Sequence, residues 1–319
     1  MLFRILKFAP KFKILKMDSR AYTDINFKIR AKNKVYEGLE KEKGSSWEGP
    51  FYFIQAADTQ FGMIESYIEK KSDSCWDKEI ELTKKAISAV NKMNPKPKFF
   101  IVCGDLIDAL PFTPLRTAQE QDFKKVFAEL DSSIPLVCIC GNHDVGNTPT
   151  SESIEDYKNK FGDDYFVFWC GGVMCIVLNS QFYKDPSEVK NLASAHDKWL
   201  DEKLSEAAAG NYNHIFIFQH IPWFLKESDE DDEYFNITLD LRMKMLDKFK
   251  KAGVSAIFCG HYHRNAGGFY KNMEVIVTSA VGAQLGNDKS GFRIVKVFEK
   301  SYQHNYYSLE DLPEKIHLN

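Results

Sequence analysis

Five short polar motifs, each at or just past the end of an apolar, strand-forming run, constrain this chain more than any other feature. Asp58-Thr59-Gln60 follows Phe51-Tyr52-Phe53-Ile54, and Gly104-Asp105-Leu106-Ile107-Asp108 follows Phe99-Phe100-Ile101-Val102. Gly141-Asn142-His143-Asp144 follows Leu136-Val137-Cys138-Ile139. His220 ends Ile215-Phe216-Ile217-Phe218, and Gly260-His261-Tyr262-His263 ends Ala256-Ile257-Phe258. In open α/β sheets ligands bind beyond the carboxyl ends of strands, so motifs placed this way gather on one rim. Carboxylates, an amide and imidazoles are the donors that divalent cations accept. The pattern therefore predicts an α/β fold with a two-metal hydrolytic site at its strand ends.

The segments between the motifs alternate in kind. Trp76 to Met93 reads as a helix, with Leu82, Ala86, Ala89 and Met93 on one stripe and Pro95 and Pro97 beyond its end. Phe123, Val126, Phe127 and Leu130 mark a second helix, Trp199, Leu200 and Leu204 a third, and Leu239, Met243, Leu246 and Phe249 a fourth. Gly171-Gly172 between two apolar runs is a hairpin signal, and late strands are expected at 275–278 and 292–298. Strand–helix alternation argues for parallel units, while the hairpin and late strands add antiparallel pairs. Two mixed sheets packed together with helices outside satisfy both. One boundary is drawn, at Trp47. It separates a basic extension (1–46) from the body (47–310), which is followed by a short tail (311–319).

Charge supports that division. Residues 1–46 hold 12 Lys/Arg against 5 Asp/Glu, leaving 30 against 40 for the rest of a chain whose net charge is -3. A body of that sign offers no electrostatic footprint for nucleic acid. The seven cysteines, several of them inside apolar runs, read as reduced and buried rather than as a disulfide framework, which points to the cytoplasm. No apolar window is long enough for a transmembrane span. The first 17 residues are basic, acid-free and amphipathic. They read as a mitochondrial transit peptide, as a surface helix, or as residues ahead of a start at Met17. The acidic run 229–233 lacks the glycine and spacing of a calcium loop and reads as solvated, and Asn236-Ile237-Thr238 is a glycosylation sequon by pattern.

In their order, the five motifs resemble the calcineurin-like metallophosphoesterase superfamily. The resemblance spans roughly residues 47 to 310. It is closest, in Trp47 to Phe51, Asn94 to Phe100, Gly141 to Thr150 and Gly260 to Gly268, to an animal branch described as serine/threonine protein phosphatases. It implies a four-layer α-β-β-α sandwich and a phosphomonoesterase with phosphoprotein substrates. It also implies two divalent ions (Mn, Mg, Fe or Zn). Carried over residue by residue, it places Asp58, Gln60, Asp105 and His263 around the first ion. Asp105, Asn142, His220 and His261 surround the second, with Asp105 bridging. In that reading a water shared by the ions attacks phosphorus in line. His143 stabilises the phosphate oxygens or protonates the leaving alkoxide, and Asp144 orients the His143 ring.

Gln60 departs from the superfamily pattern, which has histidine there, although the closer branch resembles this chain in carrying glutamine. A neutral amide oxygen binds more weakly and tilts preference towards Mg²⁺ or Mn²⁺. Asp108 is expected to support the ligands from behind, and Arg264 to clamp a phosphate oxygen. His196, His214, His304 and His317 read as structural, and Met243, Met245 and Met273 as core filler. Two other functions compete. One is a phosphodiesterase or nucleotide hydrolase on the same fold; the other is a scaffold with a weakened metal site.

Overall fold

The computed structural model of the protein describes residues 27–72 and 75–319. Its strands are β1 (Ala31–Lys32), β2 (Val35–Tyr36), β3 (Phe51–Ala56), β4 (Phe100–Cys103), β5 (Leu136–Ile139), β6 (Phe166–Cys170) and β7 (Val173–Val177). They continue with β8 (His214–Phe218), β9 (Ala256–Cys259), β10 (Ala266–Tyr270), β11 (Met273–Val277), β12 (Gly291–Val297) and β13 (Tyr302–Ser308). The helices are α1 (Lys41–Gly44), α2 (Asp77–Lys92), α3 (Arg116–Phe127), α4 (Asn142–Val145), α5 (Ser151–Phe161), α6 (Gln181–Lys184), α7 (Lys190–Ala209) and α8 (Leu239–Lys251).

Two mixed sheets result, ordered β13-β12-β3-β4-β5 and β1-β2-β6-β7-β8-β9-β11-β10. Period-two alternation along the buried strands assigns each face. On β3, Phe51 and Phe53 point to the opposing sheet and join Phe99, Phe168, Phe218 and Phe258. Tyr52, Ile54 and Ala56 point the other way, onto Ala86, Ile87 and Val90 of α2 and Phe123 and Val126 of α3. The second sheet turns Met174, Ile176, Ile215 and Ile217 outward onto Leu200 and Leu204 of α7 and Leu246 and Phe249 of α8. This is the expected α-β-β-α order. Between the sheets Phe53 stacks on Phe99 with ring centroids 4.6 Å apart. Each such ring contributes about 1.5–3 kcal/mol on burial, so the strand ends carrying the motifs project from a rigid base.

The helices read from periodicity lie where expected, and Gly171-Gly172 closes the β6–β7 hairpin. Both glycines take positive φ, 53° and 83°, the conformation a two-residue turn between right-twisted strands requires. The boundary at Trp47 falls differently. Residues 27–46 are not detached from the body, because β2 pairs in parallel with β6 through Val35 and Val167 and buries Tyr36. The tail is likewise tied in. Asn94 N donates to the Glu314 carbonyl, Ile316 N donates back to the Asn94 carbonyl, and the Ile316 side chain is buried. The stretch read as a transit peptide, 1–17, lies outside the described residues. Among the described residues no helix is long and apolar enough to cross a membrane.

Candidate metal centre

The five motifs converge at the ends of β3, β4, β5, β8 and β9. Sharp backbone turns aim their side chains. Asp58, Gln60, Asp105, His261 and His263 all take positive φ, between 34° and 70°. A non-glycine residue held there costs on the order of 1–3 kcal/mol, and such strain gathers at functional sites. Glycine is needed beside them. Gly104 has φ 84°, and a Cβ on it would overlap the His220 ring.

Two groups of donor atoms result, Asp58-Asp105-His263 and Asp105-His220-His261. Within each, the atoms lie within 4.8 Å of one another, and Asp105 belongs to both. His263 Nε2 lies 3.3 Å from Asp58 Oδ1, and His220 Nε2 lies 3.3 Å from Asp105 Oδ2. Two amides line the cleft over both groups. Asn142 Oδ1 sits 3.1 Å from His220 Nε2, while Gln60 directs Nε2 to Asp108 Oδ1 (3.2 Å) and leaves Oε1 buried without a partner.

Tautomers are set from behind. His220 Nδ1 donates to the Cys103 carbonyl (2.7 Å) and His263 Nδ1 to the Ala283 carbonyl (2.5 Å), so in its neutral form each ring turns the Nε2 lone pair inward. His220 Nε2 then faces the Asn142 oxygen, the Asp105 oxygen and His261 Nδ1, the last at 3.2 Å. Lone pairs gathered this closely repel unless a cation lies among them. The electrostatics agree. Burial opposes a charged His220, but Asp105 and then Asp58 outweigh it and raise its pKa to about 9. Burial alone would raise Asp105, yet the His220 and His143 rings hold it well below the ordinary carboxylate range. Without an ion the site draws in a proton. The orphaned Gln60 oxygen and the converging lone pairs fit divalent cations.

The remaining residues divide. The His143 main-chain amide donates to Asp105 Oδ1 (2.8 Å), and its ring borders a cleft of about 260 Å³ over the centre. The expectation that Asp144 orients that ring is corrected. Asp144 is fully buried, and its carboxylate accepts from the backbone amides of Gly141 (2.7 Å) and Leu106 (3.2 Å). Burial and the neighbouring Asp105 push its pKa up. The His143 ring is held by Asp108 instead, with Nδ1 donating to the Asp108 carbonyl (2.5 Å) and lying 3.6 Å from its carboxylate. Asp108 also receives Gln60 Nε2 and Ser66 Oγ (2.8 Å), so it holds the Gln60 amide from behind.

Arg264 is turned away from the cleft. It donates to the Leu285 carbonyl and its guanidinium lies 4.7 Å from the centre of the Tyr262 ring, so the phosphate clamp is not formed. Sequence reading missed Arg116, which is buried on α3 and donates to the carbonyls of His143 and Asp144 (both 2.7 Å), fixing the end of α4. It also missed Tyr67, Tyr234 and Phe235, which line the cleft. Nothing in their local sequence marks them.

Residues 51–265 match the profile described as Calcineurin-like phosphoesterase. Over 290 residues the chain is 51% identical to the human protein named serine/threonine-protein phosphatase CPPED1, covering 90% of this chain and 92% of that protein. The Danio rerio protein of the same name is 47% identical over 290 residues, covering 90% of this chain and 94% of its own length. Among solved structures, a purple acid phosphatase from yellow lupin superposes with a TM-score of 0.61 at 12% identity, covering 83% of this chain and 52% of that one. A dimetal phosphatase from Danio rerio gives 0.56 at 16% identity, covering 82% of this chain and 100% of its own. At those identities the likeness shows the fold.

Proposed function

The chain belongs to the calcineurin-like phosphoesterase family, and we propose that it is a metal-dependent phosphomonoesterase acting on phosphoserine and phosphothreonine in proteins. The observation that carries this reading is the likeness, over nine-tenths of the chain, to relatives named serine/threonine-protein phosphatases. Asp58, Gln60, Asp105 and His263 would hold one divalent ion, and Asp105, Asn142, His220 and His261 the second. The family implies divalent metals, and the harder oxygen of Gln60 favours Mn²⁺ or Mg²⁺ over Zn²⁺. Such ions, when bound, polarise phosphate oxygens and lower the pKa of a water between them. The protein's own groups do the rest. Asp105 supplies the charge common to both positions. The Asp108 carbonyl fixes His143 with its proton on Nδ1. The ring so held borders the cleft, and as a positioned acid at the leaving oxygen it would contribute about 10²–10⁴-fold.

Assaying a phosphoserine peptide, p-nitrophenyl phosphate and its bis-ester with Mn²⁺ tests the reading. Turnover of both monoesters and not the diester is expected. Preference for the diester would make the enzyme a phosphodiesterase, and bound metal without turnover would make it a scaffold. We also place the protein in the cytoplasm, a reading supported by its buried free thiols. Fractionation of cells expressing the full chain checks that location.

A further inference from the structure

Large apolar side chains that remain well exposed are few among the described residues, and they are not scattered. Tyr67, Ile68, Leu110, Phe112, Leu115 and Tyr234 make up six of the eight. The first five come from two adjoining segments, the turn at Ile64–Ile68 and the loop after Asp108. Ser66 Oγ donates to Asp108 Oδ2 (2.8 Å) and Asp108 N to the Phe61 carbonyl (3.2 Å), which fixes one segment against the other. Tyr234 comes from a different part of the chain, and its hydroxyl lies 3.4 Å from Asn142 Nδ2. Tyr67 and Tyr234 both line the cleft over the metal centre.

Phe112 is the least explicable of these residues within the fold. Its φ is 66° and its side chain is 69% exposed, so a bulky residue adopts the left-handed conformation in order to present its ring to water. Both features are unfavourable. Near Tyr67, Glu65 and Glu69 are paired with Lys71 and Lys78, while Lys70 adds one exposed positive charge to the edge of the rim. Most of the large side chains that the rim exposes are nevertheless apolar. Tyr67 and Tyr234 carry the rim to the wall of the cleft, so a chain laid across these residues leads towards the metal centre.

We propose that this rim docks the polypeptide carrying the phosphorylated residue, taking apolar or aromatic side chains that flank the phosphoserine or phosphothreonine. The assignment rests on the phosphoprotein reading above. Phe112 and Tyr67 are docking residues, not groups that touch the reacting atoms.

Steady-state kinetics on two phosphoserine peptides of equal length and charge tests it. One peptide carries Leu and Phe beside the phosphoserine and the other Ser and Gly, with free O-phosphoserine as a third substrate. The wild type should favour the apolar peptide by about tenfold in kcat/KM, the gain lying in KM. Phe112→Ser and Tyr67→Ser, checked for unchanged metal content and circular dichroism, should each shrink that ratio towards one. Their loss on the apolar peptide should exceed their loss on free O-phosphoserine. Peptide turnover with no flank preference, or a preference that survives both variants, overturns the rim assignment alone. Turnover of O-phosphoserine with neither peptide hydrolysed overturns the phosphoprotein reading, and the rim falls with it.

Discussion

At the scale of single residues, Gln60 has the most to say about the metals. Its Nε2 is committed to Asp108 and its Oε1 is buried without a partner, so the amide is oriented in advance to offer oxygen. Replacing it by histidine, Gln60→His, should tighten metal binding by about tenfold, because imidazole is the stronger donor, and should shift preference from Mg²⁺ towards Zn²⁺. Titrating metal into the apo forms reads both effects, and coincident midpoints would mean that the side chain does not ligate. Asp105→Asn should lower bound metal and abolish turnover, since among the described residues no other carboxylate belongs to both donor groups. Metal analysis showing full occupancy would remove the bridging role. His143→Ala, by contrast, should keep the metal and lose about 10²–10⁴ in kcat. The candidate ligands were legible because each is a polar residue ending an apolar run, and the fold can bring such ends to only one rim. The role of Asp144 was not legible. The family resemblance implied contact with the His143 ring, but the single turn of α4 directs the carboxylate back to Gly141 N.

At the scale of elements, the acidic stretch is an organised loop, although its composition reads as solvated. Glu230 accepts from the amides of Leu225 (2.7 Å), Lys226 (2.9 Å) and Glu227 (3.2 Å) and from Asn236 Nδ2 (2.9 Å). Arg242, buried on α8, donates to the carbonyls of Ile237 (3.0 Å), Ser228 (3.1 Å) and Glu230 (2.7 Å). Lys184 of α6 donates to the carbonyls of Glu233 (2.9 Å) and Asn236 (2.7 Å). These partners lie on different helices, so no local pattern could show them. The same contacts bury Asn236 completely, which closes the sequon to glycosylation in the folded protein. They also hold Tyr234 and Phe235 against the His261 ring, with centroids 5.1 and 5.4 Å away. Arg242→Met keeps the apolar stem and removes the donors. Hydrogen bonds from charged groups contribute about 1.5–3 kcal/mol each. The variant should therefore open the loop locally, with faster amide exchange over 225–238 and a raised KM, while metal content stays at the wild-type level. Unchanged exchange there would show that the loop holds itself.

At the scale of the whole molecule, the two-sheet core was readable because continuous apolar runs can be satisfied only by strands buried on both faces. The two-residue strands β1 and β2 were not, since Ala31-Lys32 and Val35-Tyr36 are too short to set a period. Stability should carry a signature of one core histidine. His196 on α7 is completely buried among Tyr165, Phe182, Tyr183 and Trp199, and neither ring nitrogen has a hydrogen-bond partner, the Asp197 carboxylate lying 4.0 Å from Nδ1. Burial disfavours the imidazolium and depresses its pKa from 6.5 to about 3. The folded protein therefore keeps this ring neutral where the unfolded chain takes up a proton. Its contribution is complete above pH 6.5 and is lost as the pH falls from there to about 3, at a slope approaching about 1.4 kcal/mol per pH unit. His196→Phe preserves an aromatic ring in the cluster and removes the titration. Urea unfolding of both proteins as a function of pH, each stripped of metal so that the ligand histidines contribute equally, should give a shallower loss for the variant between pH 6.5 and 4. Parallel acid limbs would mean that His196 is hydrated or paired in solution, and that the acid sensitivity of the fold originates elsewhere.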